Sequence, residues 1–227
     1  MSIPKIDCKE FIRRFAIRPN GAYSFLLGAG ASASAGLPTA QMVTWALKRT
    51  LFCSLHQIHE DSFKDLELEH NKKILQDFFD SQKNYPPLYS YEEYSFYFEK
   101  CYPSSDDRRL FIQGCVRDIN PALGHLCLGA LMLSTKVDVV WTTNFDQLVE
   151  SAIHTLEPAK GILVVSPENS ASLNRIHENF PKVLKFHGDY RYDVLQNTVK
   201  ETQQLNDALS LKFIEESVNK GLIIIGY

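Results

Sequence analysis

The sequence predicts an α/β domain built on a doubly wound, Rossmann-like parallel sheet with a helical insertion. Three observations carry this. Short β-branched apolar runs alternate with helical stretches along the chain, which implies crossover connections and parallel strands. The run at 137–142 is β-branched and fits a parallel strand buried on both faces. Between about 57 and 101 the pattern gives way to charges and aromatics with Pro86-Pro87 between two helical stretches, which fits no sheet.

The elements follow in order. Residues 7–15 read as a short amphipathic helix, closed by the turn signal Pro19-Asn20-Gly21. Residues 23–27 form a compact apolar run ending in Gly28, a buried first strand. Thr39 stands before a helical stretch reaching roughly to residue 52, and threonine is a natural N-cap. The helical insertion covers about 57–120, and helices are expected at 106–116 and 122–134. Residues 137–142 are the second strand and 145–155 a helix. A third strand is placed at 162–165, a short helix at 170–180, a fourth strand at 183–186, a helix at 205–219 and a fifth strand at 222–225. The chain stops at Gly226-Tyr227, directly after an apolar strand. A central parallel strand wants a covering helix, so the chain is expected to be the N-terminal part of a longer protein.

With 227 residues, 44% of them hydrophobic, the chain has enough apolar surface for a substantial core. A formal net charge of -3 argues against direct nucleic-acid binding, which needs clustered Lys and Arg. The five cysteines are odd in number, widely spaced and without a Cys-x-x-Cys pair. That pattern points to reduced thiols in a cytoplasmic protein and to no structural metal. Lys5, Asp7, Lys9 and Glu10 interrupt any signal-peptide core, and no apolar run is long enough for a membrane span.

Ligands of doubly wound sheets bind at the carboxyl ends of the strands, and four strand ends here are unusual. After the first strand comes Gly28-Ala29-Gly30-Ala31-Ser32, running on to Gly36-Leu37-Pro38. Side chains this small let backbone amides approach a pyrophosphate. An ordinary dehydrogenase needs an acidic residue about 20 positions on; here that region reads Lys48-Arg49-Thr50-Leu51-Phe52. After the second strand, Thr142-Thr143-Asn144-Phe145-Asp146 sets Asn144 and Asp146 at a strand-to-helix junction, where Asn144 either faces the crevice or caps the helix. After the fourth, His187-Gly188 places a histidine for proton transfer beside a residue that leaves room for a ligand. After the fifth stands Gly226.

Taken together, these segments resemble the sirtuin superfamily: Gly-Ala-Gly-x-Ser with Gly-x-Pro, then Thr-x-Asn-x-Asp, then His-Gly, then a glycine after an apolar strand. The resemblance spans residue 23 to the end, outside the insertion, and implies a sirtuin-type fold with NAD as substrate. Deacylating sirtuins carry paired Cys-x-x-Cys motifs and usually follow Gly-x-Pro with Asp-Phe-Arg. This chain has no such pairs and reads Thr39-Ala40-Gln41. It looks more like the sirtuin-like domains of bacterial anti-phage proteins, in which Thr-Thr-Asn-Phe-Asp and His-Gly-Asp are typical. That resemblance implies hydrolysis of NAD⁺ to nicotinamide and ADP-ribose, a fused or associated sensor module and a homo-oligomer.

On this reading Asn144, His187 and Asp146 are catalytic. Asn144 holds the ribose hydroxyls or the attacking water, His187 is the general base, and Asp146 orients ribose and neighbouring groups or stabilises positive charge. Gly28, Ala29, Gly30, Ala31, Ser32, Pro38, Thr143, Gly188 and Gly226 are expected to bind NAD. The alternatives are an NAD-dependent protein deacylase and a non-catalytic sensor of NAD or ADP-ribose. The insert tyrosines Tyr85, Tyr89, Tyr91, Tyr94 and Tyr97 serve either as core or in self-association.

Overall fold

The computed structural model of the chain describes residues 5–176, 179–189 and 207–227. In order it forms α1 (Cys8–Ile17), β1 (Tyr23–Leu27), α2 (Ala29–Ala33), α3 (Ala40–His56), a 3₁₀ turn (Glu60–Phe63), α4 (Glu69–Asp80), α5 (Glu93–Cys101), α6 (Ser105–Val116) and α7 (Leu123–Leu133). Then follow β2 (Val137–Thr142), α8 (Leu148–Leu156), β3 (Leu163–Val165), a 3₁₀ segment (Pro167–Arg175), β4 (Lys182–Lys185), α9 (Asp207–Asn219) and β5 (Gly221–Ile225).

The described strands make one sheet in the order β3-β4-β2-β1-β5, with every neighbouring pair parallel. Both faces of β2 and β4 are covered, while β5 is an edge strand with exposed side chains. Phe25, Leu27, Val137, Val140 and Val183 pack against Leu128 and Met132 of α7 and Val149 and Ile153 of α8. On the other face Val139, Trp141, Val165 and Leu184 meet Leu209 of α9 and Ile176. The doubly wound architecture expected from the alternation is therefore present. Registers run Leu27↔Thr142 and Leu27↔Ile225, so β1, β2 and β5 end level with one another.

The helices between β1 and β2 have a core of their own. Phe52, Phe63, Leu75, Phe79, Tyr97, Phe98 and Ile112 gather into a cluster separate from the sheet. Trp45 and Leu47 join it, so the inner face of α3 packs with the helices that follow it. Tyr97 is fully buried here, Tyr85 and Tyr94 are partly buried, and Tyr89 and Tyr91 are exposed. The two alternatives for these tyrosines thus divide along the segment. Within this core lies a buried cation: Lys48 is 0% exposed, pairs with Glu93, donates to Gln76 Oε1 at 2.6 Å and sits over the rings of Trp45 and Tyr97. Burial pulls its pKa below the ordinary lysine value, against the opposing pull of Glu93.

Strands β1 and β2 match the expected spans. Thr39 caps α3 as expected, its hydroxyl accepting from the Met42 amide, and α3 runs on to His56, where Gln57 in the left-handed region ends it. Three differences have local causes. Residues 29–33, expected as open loop, close into a short helix, because the Gly28 carbonyl accepts from the Ala31 amide. The helix after β2 starts at Leu148 rather than 145, since Asp146 Oδ1 takes the Leu148 amide at 3.0 Å and the preceding residues stay irregular. The expected helix at 170–180 is a 3₁₀ segment ending at Arg175, held by reciprocal bonds between Ser166 and Asn169; residues 177 and 178, and the first two of the expected helix at 205–219, lie outside the described residues. Among the described residues no helix is long and apolar enough to cross a membrane.

Removing one partner of a buried ion pair strands the other charge, which costs about 3–5 kcal/mol, whereas removing both is close to neutral. Urea unfolding is therefore expected to show a loss of that size in Glu93→Gln and most of it regained in Lys48→Met/Glu93→Gln.

Candidate active site

The site begins with the backbone. Leu27, the last residue of β1, offers a carbonyl that accepts from the Thr143 amide and from the Thr142 hydroxyl, both at 3.1 Å. On the other side of β1, the Gly28 amide donates to the Ile225 carbonyl at 2.9 Å and the Gly30 amide to the Gly226 carbonyl at 3.0 Å. The first loop is thereby tied to the ends of both neighbouring strands. Its glycines are required for that tie. A Cβ on Gly30 would lie 2.9 Å from the Gly226 Cα, and one on Gly226, whose φ is +79°, would lie 2.2 Å from the Ala31 nitrogen. The amides of Gly28, Gly30 and Ala31 are all spent on protein carbonyls in this arrangement, and the ring of Tyr227 covers Gly28 while its hydroxyl meets Thr143 Oγ1 at 3.1 Å.

Upon this frame rests a network of side chains. Asn144 Nδ2 donates to the Gly28 carbonyl and to Ser32 Oγ, each at 2.9 Å. Ser32 Oγ in turn donates to Asp146 Oδ2 at 2.6 Å, and Asp146 Oδ1 accepts the Leu148 amide. Asn144 therefore does not cap α8; its carboxamide holds the end of the second strand against the first loop. With its N–H groups engaged, Asn144 keeps its oxygen for a hydroxyl or a water. Asp146 has both oxygens occupied and serves to hold Ser32, which is 4% exposed.

A cavity of about 220 Å³ opens beside this network. Ala29, Ser32, Pro38, Thr143, Asn144, Asp146 and His187 line one side, which brings together residues predicted from three strand ends. Gly28, Gly30, Ala31 and Gly226 stand behind it as the interlock, and Gly188, buried with φ +98°, carries the chain past His187. Further lining comes from the helical core, which the local sequence pattern does not reveal: Tyr94, Phe111, Ile112, Cys115 and Val116. Nothing in their local pattern distinguishes a cavity wall from ordinary helix packing.

His187 makes no hydrogen bond among the described residues, and burial lowers its pKa below the ordinary histidine value. Its imidazole is neutral at neutral pH and able to take a proton. A second histidine, His125 on α7, also escaped the sequence reading. It is 5% exposed, its Nδ1 meets no hydrogen-bond partner among the described residues, and burial lowers its pKa while the charge of Asp146 pulls the other way. The one available signal was its place in the otherwise apolar run 122–134.

Residues 138–227 match the model of the SIR2-like domain. That segment runs from β2 to the end of β5 and carries Asn144, Asp146, His187 and Gly226. A solved structure described as Sir2 bound to acetylated peptide aligns with 18% identity and a TM-score of 0.34, over 82% of this chain and 47% of that one. The chain thus spans about half the length of that Sir2 chain. No curated protein matches the sequence.

Placing a methyl group at Gly226 sets a positive φ against an L side chain and a Cβ into the Ala31 amide, so Gly226→Ala is expected to cost more than about 1 kcal/mol. Thermal unfolding measures the loss, and hydrogen exchange is expected to quicken at residues 28–31 rather than in the helical core.

Proposed function

We propose that this chain hydrolyses NAD⁺ to nicotinamide and ADP-ribose, with Asn144 and His187 as catalytic residues. The observation that carries the reading is the convergence of the Ser32–Asn144–Asp146 network and an unbonded neutral imidazole on one cavity at the carboxyl ends of parallel strands, where ligands of such sheets bind. The match of residues 138–227 to a SIR2-like domain supports NAD as the substrate.

The chemistry suits these groups. Cleaving the bond between ribose C1′ and the pyridinium nitrogen sends the electron pair to nicotinamide, which leaves neutral and needs no acid. The sugar passes through an oxocarbenium-like state, as in glycoside hydrolysis. Water then adds to C1′, and its proton has to go to a base. His187 takes it, and the Asn144 carboxamide oxygen orients the water or a ribose hydroxyl. The Asp146 charge beside the cavity favours the cationic state. A cavity of about 220 Å³ falls below the roughly 300 Å³ at which small-molecule pockets begin. It suits the nicotinamide–ribose end, with the phosphates lying outward along the loop of Gly28–Ala31, Pro38 and Thr143. Binding there needs Tyr227 to leave Gly28, since the ring occupies the approach.

The wider setting belongs to the same proposal: a cytoplasmic effector of an anti-phage system, self-associating, with the helical insertion of about 57–120 inside one sirtuin-like domain and a sensor module in a longer or associated chain. No second activity is favoured by a specific observation.

Incubating the protein with NAD⁺ and separating the products is expected to yield nicotinamide and ADP-ribose in equal amounts, and none with Asn144→Ala. Should the full-length protein bind NAD⁺ and release no nicotinamide, the hydrolase reading falls and a sensor takes its place.

Loss of a general base typically costs about 10²–10⁴-fold, so His187→Ala is expected to lower kcat by that factor while NAD⁺ binding by calorimetry persists. Because burial lowers the His187 pKa, kcat/KM is expected to hold level at neutral pH and to fall only below the ordinary histidine value of about 6.5. That acid limb should vanish in the variant. A fully active His187→Ala protein overturns the assignment.

A further inference from the structure

Lys185 stands at the end of β4, two residues before His187, and is 0% exposed. A buried ammonium is costly, and an apolar residue of similar volume often serves stability as well or better. Lys185 is nevertheless saturated with partners drawn from three segments. Its Nζ donates to the Asp146 carbonyl at 2.5 Å and to Asp189 Oδ2 at 2.8 Å, and pairs with Glu150 Oε1 at 2.9 Å. Glu150 lies in the first turn of α8, and Asp189 is 0% exposed and also receives Gln147 Nε2 at 3.4 Å. Burial works to lower the pKa of Lys185, but the two carboxylates outweigh it and hold the group above the ordinary lysine value. The carboxylates thus favour its charged form.

The consequence is geometric. The strand end with Asn144 and Asp146, and the strand end with His187, are joined through one ammonium group. Among the described residues the last backbone link between them is the Phe186 amide donating to the Thr142 carbonyl at 2.9 Å, upstream of both side chains. Beyond that point the Asp146 carbonyl and the Asp189 carboxylate are held to each other by Lys185. We propose that Lys185 is a positioning residue that fixes the separation of Asn144 and His187 across the cavity. This rests on the assignment of those two side chains as the cleavage pair. Lys185 touches neither the cavity nor the substrate, and acts only through the segments it ties.

Substituting Lys185 alone takes the cation from beside two buried carboxylates and endangers folding, so the comparison uses charge-matched proteins. Glu150→Gln keeps the ammonium, its Asp189 partner and its bond to the Asp146 carbonyl. Adding Lys185→Met and Asp189→Asn to it removes the tie at the same net charge. Misplacing reacting groups by about 1 Å costs on the order of 10²-fold. Between the single and the triple variant, kcat for nicotinamide release is expected to fall by that order while the Kd for NAD⁺ stays within about threefold, the signature of an interaction not used in ground-state binding. Hydrogen exchange at residues 142–148 and 186–189 is expected to quicken in the triple variant. A merely structural lysine predicts that binding capacity and kcat decline together, and that result overturns the proposal, as does unchanged exchange at both segments. If the parent chain releases no nicotinamide, the hydrolase reading fails by itself, and the exchange comparison still decides whether Lys185 ties the two strand ends.

Discussion

The carbonyl of Leu27 accepts hydrogen bonds from the Thr143 amide and the Thr142 hydroxyl, and the residues around it depend on that double acceptance. Because β1, β2 and β5 end in register, three loops leave the sheet at one level. Thr142 uses its side chain to hold β2 against β1 and to accept the Asn144 amide at 2.9 Å. That turns the chain so that Asn144 reaches back to Gly28 and Ser32 instead of entering a helix. Polar side chains that bond to nearby backbone compete with helix formation in this way, and here the competition keeps Asn144 and Asp146 out of α8.

Glycine has a double part in this frame. Between Gly28, Gly30 and Gly226, backbone lies against backbone at distances that no Cβ would allow. Small residues at a strand end are read most readily as room for a phosphate, but part of that room is taken by the protein itself. The interlock sets the height of the first loop, and with it the place of Ser32 and Asn144. The proposed dinucleotide therefore meets a loop whose rigidity comes from the fifth strand, with Tyr227 standing over it.

Two buried lysines divide the molecule in a related manner. Lys48 holds the helical core together through Glu93 and Gln76, while Lys185 joins the strand ends beneath the cavity. Each sits where an apolar side chain would have been cheaper, and each brings together segments far apart in sequence. The cavity lies between the regions these two organise, with a polar edge from the sheet and an apolar wall from the helices. Such a wall lowers the local dielectric and strengthens the electrostatics of the polar edge.

The sequence by itself determined the alternation of strands and helices, the parallel sheet and the four strand-end motifs. Those signals are local: β-branched runs, an N-cap at Thr39, and small or polar residues directly after a strand. Strands Tyr23–Leu27 and Val137–Thr142 were legible to the residue, and Asn144, Asp146 and His187 were legible as a set because topology brings strand ends to one edge. What only the tertiary structure decided was contact between distant segments. The apolar wall of Tyr94, Phe111 and Val116, the glycine interlock at Gly226, the burial of His125 and the reach of Lys185 to Asp146 depend on which helix packs where and on the lengths of particular side chains. A lysine in a strand and a tyrosine in a helix carry no mark of these roles, because both arise from packing across more than 30 intervening residues, beyond the reach of any local pattern.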